Sequence, residues 1–331
     1  MRCRDGGRCA PRAPRPRPDL RSGACETRRR AYPCPVERKP TTETLVLAHR
    51  EDTLTSSGAT EIVLQAWAPR RPRGVLLFVH GLAEHSGRYG HPIDWFSRQD
   101  FACAALDLRG HGRSEGLRVH VDSFTEYLDD VRTARRKLKE RFGDLPLVQI
   151  GHSMGGLITV LDVLDAPTDL HAAVVSSPAL GVPADQEPGF FKRLLAALLL
   201  RIAPRTRIPG VDGRWISRDP YVVEAYFADP LVSRKVTPRW YAETRAAIDE
   251  AHRRAGELAL PLLVMQSGSD RLVDPEATAR WVQKAPAKWV THKVWEGLYH
   301  EMFNEPEREQ VFTYLEQWLD ARLGKGAGTS V

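Results

Sequence analysis

Five short runs of this 331-residue chain are too continuously apolar to be strands with one wet face. They are GVLLFVHG (74–81), FACAALDLRG (101–110), PLVQIGHSMGG (146–156), HAAVVSSP (171–178) and LPLLVMQSGSD (260–270). A strand with one solvated face alternates apolar and polar residues, whereas a strand covered on both faces does not. Other segments carry apolar residues at helical spacing. These are 123–143, closed by Gly143 as a cap, then 156–165, 275–285 and 306–323. A further strand is expected at KWVTHKVWEG (288–297). Two early ones are expected at ETLVLAH (43–49) and EIVLQAWAP (61–69), separated by the turn-like TSSG. Strand–helix alternation of this kind predicts an α/β fold with a mostly parallel central sheet and helices on both faces. The alternation stops between about 180 and 255, where the chain is helical and rich in proline and aromatics. That stretch reads as a helical cap inserted into a domain spanning 41–323. Hydrophobic residues make up 42% of the chain, enough for such a core. No run of about 18 uncharged apolar residues occurs, so no membrane-spanning helix is expected.

The net charge of +6 is unevenly placed. Residues 1–40 hold 12 Lys/Arg against 4 Asp/Glu, which leaves 41–331 at −2. The body lacks the basic excess that nucleic acid would require, so nucleic acid is not an expected partner. The stretch 1–40 is rich in Arg, Pro and Gly, lacks apolar periodicity and is expected to be a disordered extension. It has no apolar core of the secretory-signal type. Its cysteines, Cys3, Cys9, Cys25 and Cys34, match no CxxC zinc pattern. Cys103, in an apolar strand, is expected in the core. A single thiol in the body fits a reducing compartment and a cytoplasmic location. Residues 324–331 are expected to form a flexible tail.

The chemistry centres on Gly151-His152-Ser153-Met154-Gly155. A serine raised on a sharp strand-to-helix turn needs small residues two before and two after it, and here the pentapeptide sits between an apolar strand and an apolar helix. A serine hydroxyl attacks only when a base takes its proton. In the α/β-hydrolase fold the partners follow in the order Ser, acid, His. Asp270, just past the next-to-last strand, is the favoured acid. Asp274 is its rival, but it precedes Pro275 and reads as a helix cap. His300 follows the last strand and is the expected base, whereas His292 lies inside that strand. Two backbone N–H groups are needed for the developing oxyanion, and Leu82 and Met154 are the candidates. No cofactor is expected, and no HExxH metal motif occurs.

Together these residues resemble the monoacylglycerol lipases and lysophospholipase-like serine hydrolases of the Hydrolase_4 group. The matching pieces are HGLAEHSGRYG (80–90), LDLRGHGRSEG (106–116), GHSMGG (151–156), SSPAL (176–180), ISRDP (216–220), DPLV (229–232), GSDRLVDP (268–275) and YHEMFNE (299–305). The resemblance spans roughly 43–322. Leu82 departs from it, since the family often has a smaller residue there. The resemblance implies a small lipid ester as substrate, with Glu84 and Arg88 at the polar end of the pocket. The alternative for that pair is a structural, loop-anchoring ion pair. His152 either lines the pocket or supports its packing, and His111 reads as structural. FFKRLLAALLLRIAP (190–204) spreads apolar residues over more than one face. It is either a buried helix or, as the resemblance implies, a cap helix facing both the acyl channel and lipid, giving transient contact with a membrane surface. Monoacylglycerol hydrolysis is the leading expectation. The alternatives are a lysophospholipase, a broad carboxylesterase, and a silent protein that binds lipid or a partner.

Overall fold

A computed structural model of the chain describes residues 47–165, 167–183, 189–210 and 212–324. All of these fall within one compact unit, Leu45–Val331. The extension expected at 1–40 and the tail expected beyond Gly324 lie outside the described residues.

The strands are β1 (Ala48–Thr55), β2 (Glu61–Ala68), β3 (Gly74–Val79), β4 (Phe101–Asp107), β5 (Leu147–His152), β6 (Ala172–Ser176), β7 (Ile208–Pro209), β8 (Lys235–Val236), β9 (Leu262–Ser267) and β10 (Val290–Trp295). Eight of them form one sheet in the order β1-β2-β4-β3-β5-β6-β9-β10, parallel from β4 to β10 and antiparallel at β1–β2 and β2–β4. The α-helices among the described residues are α1 (Gly90–Ser97), α2 (Thr125–Phe142), α3 (Met154–Asp165), α4 (Phe190–Ile202), α5 (Pro220–Ala228), α6 (Pro238–Arg254), α7 (Pro275–Lys284) and α8 (Arg308–Leu323).

The period of two in a strand explains the continuous apolar runs. Val75, Leu77 and Val79 of β3 enter one core with Leu128 and Val131 of α2 and Leu157 of α3. Leu76 and Phe78 enter the other core, with Phe96 of α1 and Phe312 and Leu315 of α8. Both faces are dry, so neither needs polar residues. Gly143 ends α2 at φ +64°, and Cys103 is fully buried.

The first strand departs from expectation. It runs Ala48–Thr55 rather than 43–49, and the turn is a 3₁₀ turn over Ser57–Ala59. The sequence AHREDTLT is polar and largely exposed, so hydropathy does not mark it. Antiparallel pairing with β2, from Ala48↔Ala68 to Thr55↔Glu61, makes it a strand. The insertion holds α4, α5 and α6, together with a two-residue ladder between β7 and β8 that is too short to leave a sequence pattern.

Chain order places β4 on one side of β3 and β5 on the other. A crevice opens at the carboxyl ends of strands where the winding reverses in this way. His80 and Gly81 follow β3, Ser153 follows β5, Asp270 follows β9 and His300 follows β10. The sheet therefore delivers all the candidate groups to one rim.

Candidate active site

Ser153 stands between β5 and α3 in the left-handed region, at φ +52°. Such a conformation costs a non-glycine residue about 1–3 kcal/mol and persists only where its surroundings enforce it. Here the Ser153 amide donates to the Ser176 carbonyl at 3.0 Å, and its own carbonyl accepts from Leu157 (3.1 Å) and Ala179 (2.9 Å). The flanking glycines are required by contact. A β-carbon on Gly151 would lie 2.2 Å from the Gly155 carbonyl oxygen, and one on Gly155 would lie 2.1 Å from that of Val79.

His300 Nδ1 donates to Asp270 Oδ2 at 2.8 Å, with both side chains buried. That bond fixes the neutral tautomer and leaves Nε2 unprotonated, as a general base requires. Burial would raise the Asp270 carboxyl, but His300 and the amides of Leu272 and Val273 hold it below its usual value. Burial opposes charge on His300 too, and Asp270 outweighs it, so the imidazole is raised above 6.5. Asp274 instead caps α7, accepting from the Glu276 amide at 2.9 Å. His292 lies in β10 and is exposed.

Ser153, His300, Leu82 and Met154 line one cavity of about 110 Å³. Met154 opens α3, where a helix leaves its first amides without intrahelical acceptors. Among the described residues neither the Leu82 nor the Met154 amide has an acceptor. Leu82, Val182, Trp240, Thr244, Ile248 and Leu272 also border a second, largely apolar cavity of about 640 Å³ beneath the cap. Leu82 thus stands where the two spaces meet.

Glu84, which is buried, and Arg88, which is partly buried, form an ion pair. Arg88 Nε donates to Glu84 Oε2 at 3.1 Å, and its Nη2 donates to Glu301 at 2.6 and 2.9 Å. Glu84 lines the smaller cavity, whereas Arg88 does not. Burial would raise the Glu84 carboxyl, but His152, Arg88, His80 and the Gly81 amide bring it down to about 2. His152 both lines the cavity and packs, its Nδ1 donating to the Ser176 carbonyl at 3.1 Å. Burial and the His300 ring 4.7 Å away lower it to about 4. His111 is buried, with Nδ1 donating to the Arg109 carbonyl at 3.0 Å. Sequence reasoning missed Glu301, although it follows His300 in the YHEMFNE run. It also missed Ile216, Tyr226 and Trp240, which line the cavity from the cap. Ile216 opens the ISRDP run, but no local motif marks Tyr226 or Trp240.

A mostly parallel sheet carrying Ser, Asp and His in that chain order at one rim, with the serine on a left-handed elbow, defines an α/β hydrolase. The Hydrolase_4 family model, described as serine aminopeptidase S33, matches residues 70–307, and the chain belongs to this family. The monoacylglycerol lipase of Mycolicibacterium smegmatis is 36% identical over 275 residues, covering 82% of this chain and 98% of its own. The phospholipase YtpA of Bacillus subtilis is 36% identical over 257 residues, covering 77% and 98%. The crystal structure of Paleococcus ferrophilus monoacylglycerol lipase superposes with a TM-score of 0.69 at 29% identity, covering 84% and 99%. Among the described residues no helix is long and apolar enough to cross a membrane.

Proposed function

We propose that this protein is a serine carboxylic-ester hydrolase acting on single-chain lipids, with monoacylglycerol as its leading substrate. Ser153 is the nucleophile, His300 the base and Asp270 the group that orients it. The observation that carries the reading is the convergence, in one cavity, of the left-handed Ser153, His300 with its Nδ1 held by Asp270, and two amides without acceptors. In the reaction His300 Nε2 takes the Ser153 proton as Oγ attacks the ester carbonyl. The carbonyl oxygen gains negative charge against the Leu82 and Met154 amides, each worth about 2.7–4 kcal/mol to the transition state. The proton returns to the leaving alcohol, and water activated by the same imidazole then frees the acid.

The apolar cavity under the cap is suited to an acyl chain, and the buried, polar Glu84 side to a small hydroxylated alcohol. A relative named phospholipase at the same identity as the mycobacterial lipase supports a second reading, hydrolysis of lysophospholipids. Contact with a lipid surface belongs to the proposal. Leu194, Leu195, Leu198 and Ile202 of α4 are exposed, while Ala196 of the same helix borders the larger cavity. The test is fatty-acid release from monooleoylglycerol and from lysophosphatidylcholine, with labelling by a fluorophosphonate probe. The expected result is faster turnover of the glyceride and a label on Ser153 that Ser153→Ala abolishes. Preference for the phospholipid would favour the second reading, and a wild-type chain that neither turns over nor labels would leave a binding protein.

A further inference from the structure

Three strands, β5, β6 and β9, separate β3 from β10 in the sheet. The loops that follow β3 and β10 therefore share no ladder, yet the proposed reaction needs His300 from one and the Leu82 amide from the other to face a single carbonyl. A charged strap crosses the gap. Glu301, next to His300, accepts Arg88 Nη2 on both carboxylate oxygens, at 2.9 and 2.6 Å, and Asn304 Nδ2 at 2.8 Å. Arg88 Nε reaches Glu84 Oε2 at 3.1 Å. Glu84 Oε1 in turn accepts the Gly81 amide at 2.6 Å and the Tyr89 hydroxyl at 3.0 Å. Gly81 immediately precedes Leu82. The Glu301 amide also donates to the Ile216 carbonyl of the insertion at 2.7 Å.

We propose that Glu301 is a positioning residue which, through Arg88 and Glu84, holds the His300 loop and the Gly81–Leu82 loop in register. This deepens the proposed hydrolase reading and rests on it. Arg88 keeps one nitrogen for each carboxylate, and the planar guanidinium fixes the distance and angle between them. Glu84 and Glu301 are buried and the Arg88 side chain is only 9% exposed, so water competes little for these contacts. Catalytic groups must be held within about 0.5 Å of their working geometry. A lost strap should therefore displace the donors rather than delete them.

The test uses the full chain and p-nitrophenyl butyrate, a soluble ester too short to need the large cavity. Glu301→Gln keeps the shape and removes the charge, and Glu301→Ala is the more severe partner variant. For Glu301→Gln, kcat is expected to fall about 10- to 100-fold, less than the loss of a whole oxyanion donor, with KM within about 3-fold. Arg88→Met should lower kcat comparably. The double variant should fall no further than the lower of the two, because both changes break one strap. Amide exchange of the 81–85 segment should quicken in Glu301→Gln, a readout independent of turnover. With an active wild type, a kcat within about 2-fold in Glu301→Gln, multiplied effects in the double variant, or unchanged exchange at 81–85 would each overturn the strap alone. An inert wild type that takes no fluorophosphonate would overturn the hydrolase reading, and with it any catalytic role for Glu301.

Discussion

In the proposed proton relay, two opposing effects act on one imidazole. Burial alone would lower His300, and the Asp270 carboxylate raises it further than burial lowers it, so it lies above 6.5. His300 is a base only when neutral. Activity should therefore be present at alkaline pH and fall as the pH drops through a value above 6.5. Asp270→Asn removes the raising charge and leaves the desolvation, so the acid limb of kcat/KM should move to lower pH. The same change frees the tautomer, and kcat should drop by about 10⁴-fold. A pH–rate profile of both proteins checks this, and a limb that stays in place would mean that Asp270 is not the partner that sets the base. The other ionisable groups around His300 are Glu84, Glu301 and His152. Asp270→Asn alters none of these groups, so the shift is expected to read Asp270.

Elements reach the rim in register because buried polar ties fix the loops between them. Arg109, just past β4, is one such tie. Its guanidinium holds Asp130 of α2 at 2.7 Å and reaches Ser56 and Ser57 in the β1–β2 turn, while its amide donates to Asp130. Both side chains are buried. Arg109→Met would leave the Asp130 carboxylate inside the protein without its cation, which destabilises by about 3–5 kcal/mol. Equilibrium urea unfolding measures this, and a loss below about 1 kcal/mol would show that the tie is dispensable. Arg109 was legible only as part of the LDLRGHGRSEG run, whose His111 reads as structural. Strands β3, β4, β5, β6 and β9 were legible because burial on both faces writes an unbroken apolar string. Ser153, Asp270 and His300 were legible because each sits just past a readable strand or turn. Exposed β1 and the β7–β8 ladder were not, because pairing rather than hydropathy creates them. Glu301 escaped because its meaning depends on Arg88, 213 positions away.

At the scale of the whole molecule, the insertion is bound unevenly to the sheet. The Ser233 amide donates to the Ala83 carbonyl at 2.9 Å, His85 pairs with Asp229 at 2.8 Å, and Arg218 pairs with Glu305 and Glu307. These ties anchor the 216–236 part over the rim. Helix α4 packs chiefly on α6 and turns Leu194, Leu195, Leu198 and Ile202 outward, with Arg201, Arg205 and Arg207 exposed beside them. Under the proposed function, that outward stripe is where a lipid aggregate would meet the protein. Burying one leucine in an apolar phase is worth about 1.5–3 kcal/mol. Replacing Leu194 and Leu198 by Glu should therefore weaken partition to vesicles by about 10²-fold or more, at 1.4 kcal/mol per factor of ten. Both leucines are already exposed, so the fold and the buried site should be untouched. Turnover of emulsified long-chain monoacylglycerol should fall at least about tenfold with that partition, and hydrolysis of soluble p-nitrophenyl butyrate should stay within about 2-fold. Vesicle flotation and the two assays together decide the matter. Equal losses on both substrates would mean that the substitutions damaged the cap, and equal retention on both would mean that lipid is met elsewhere.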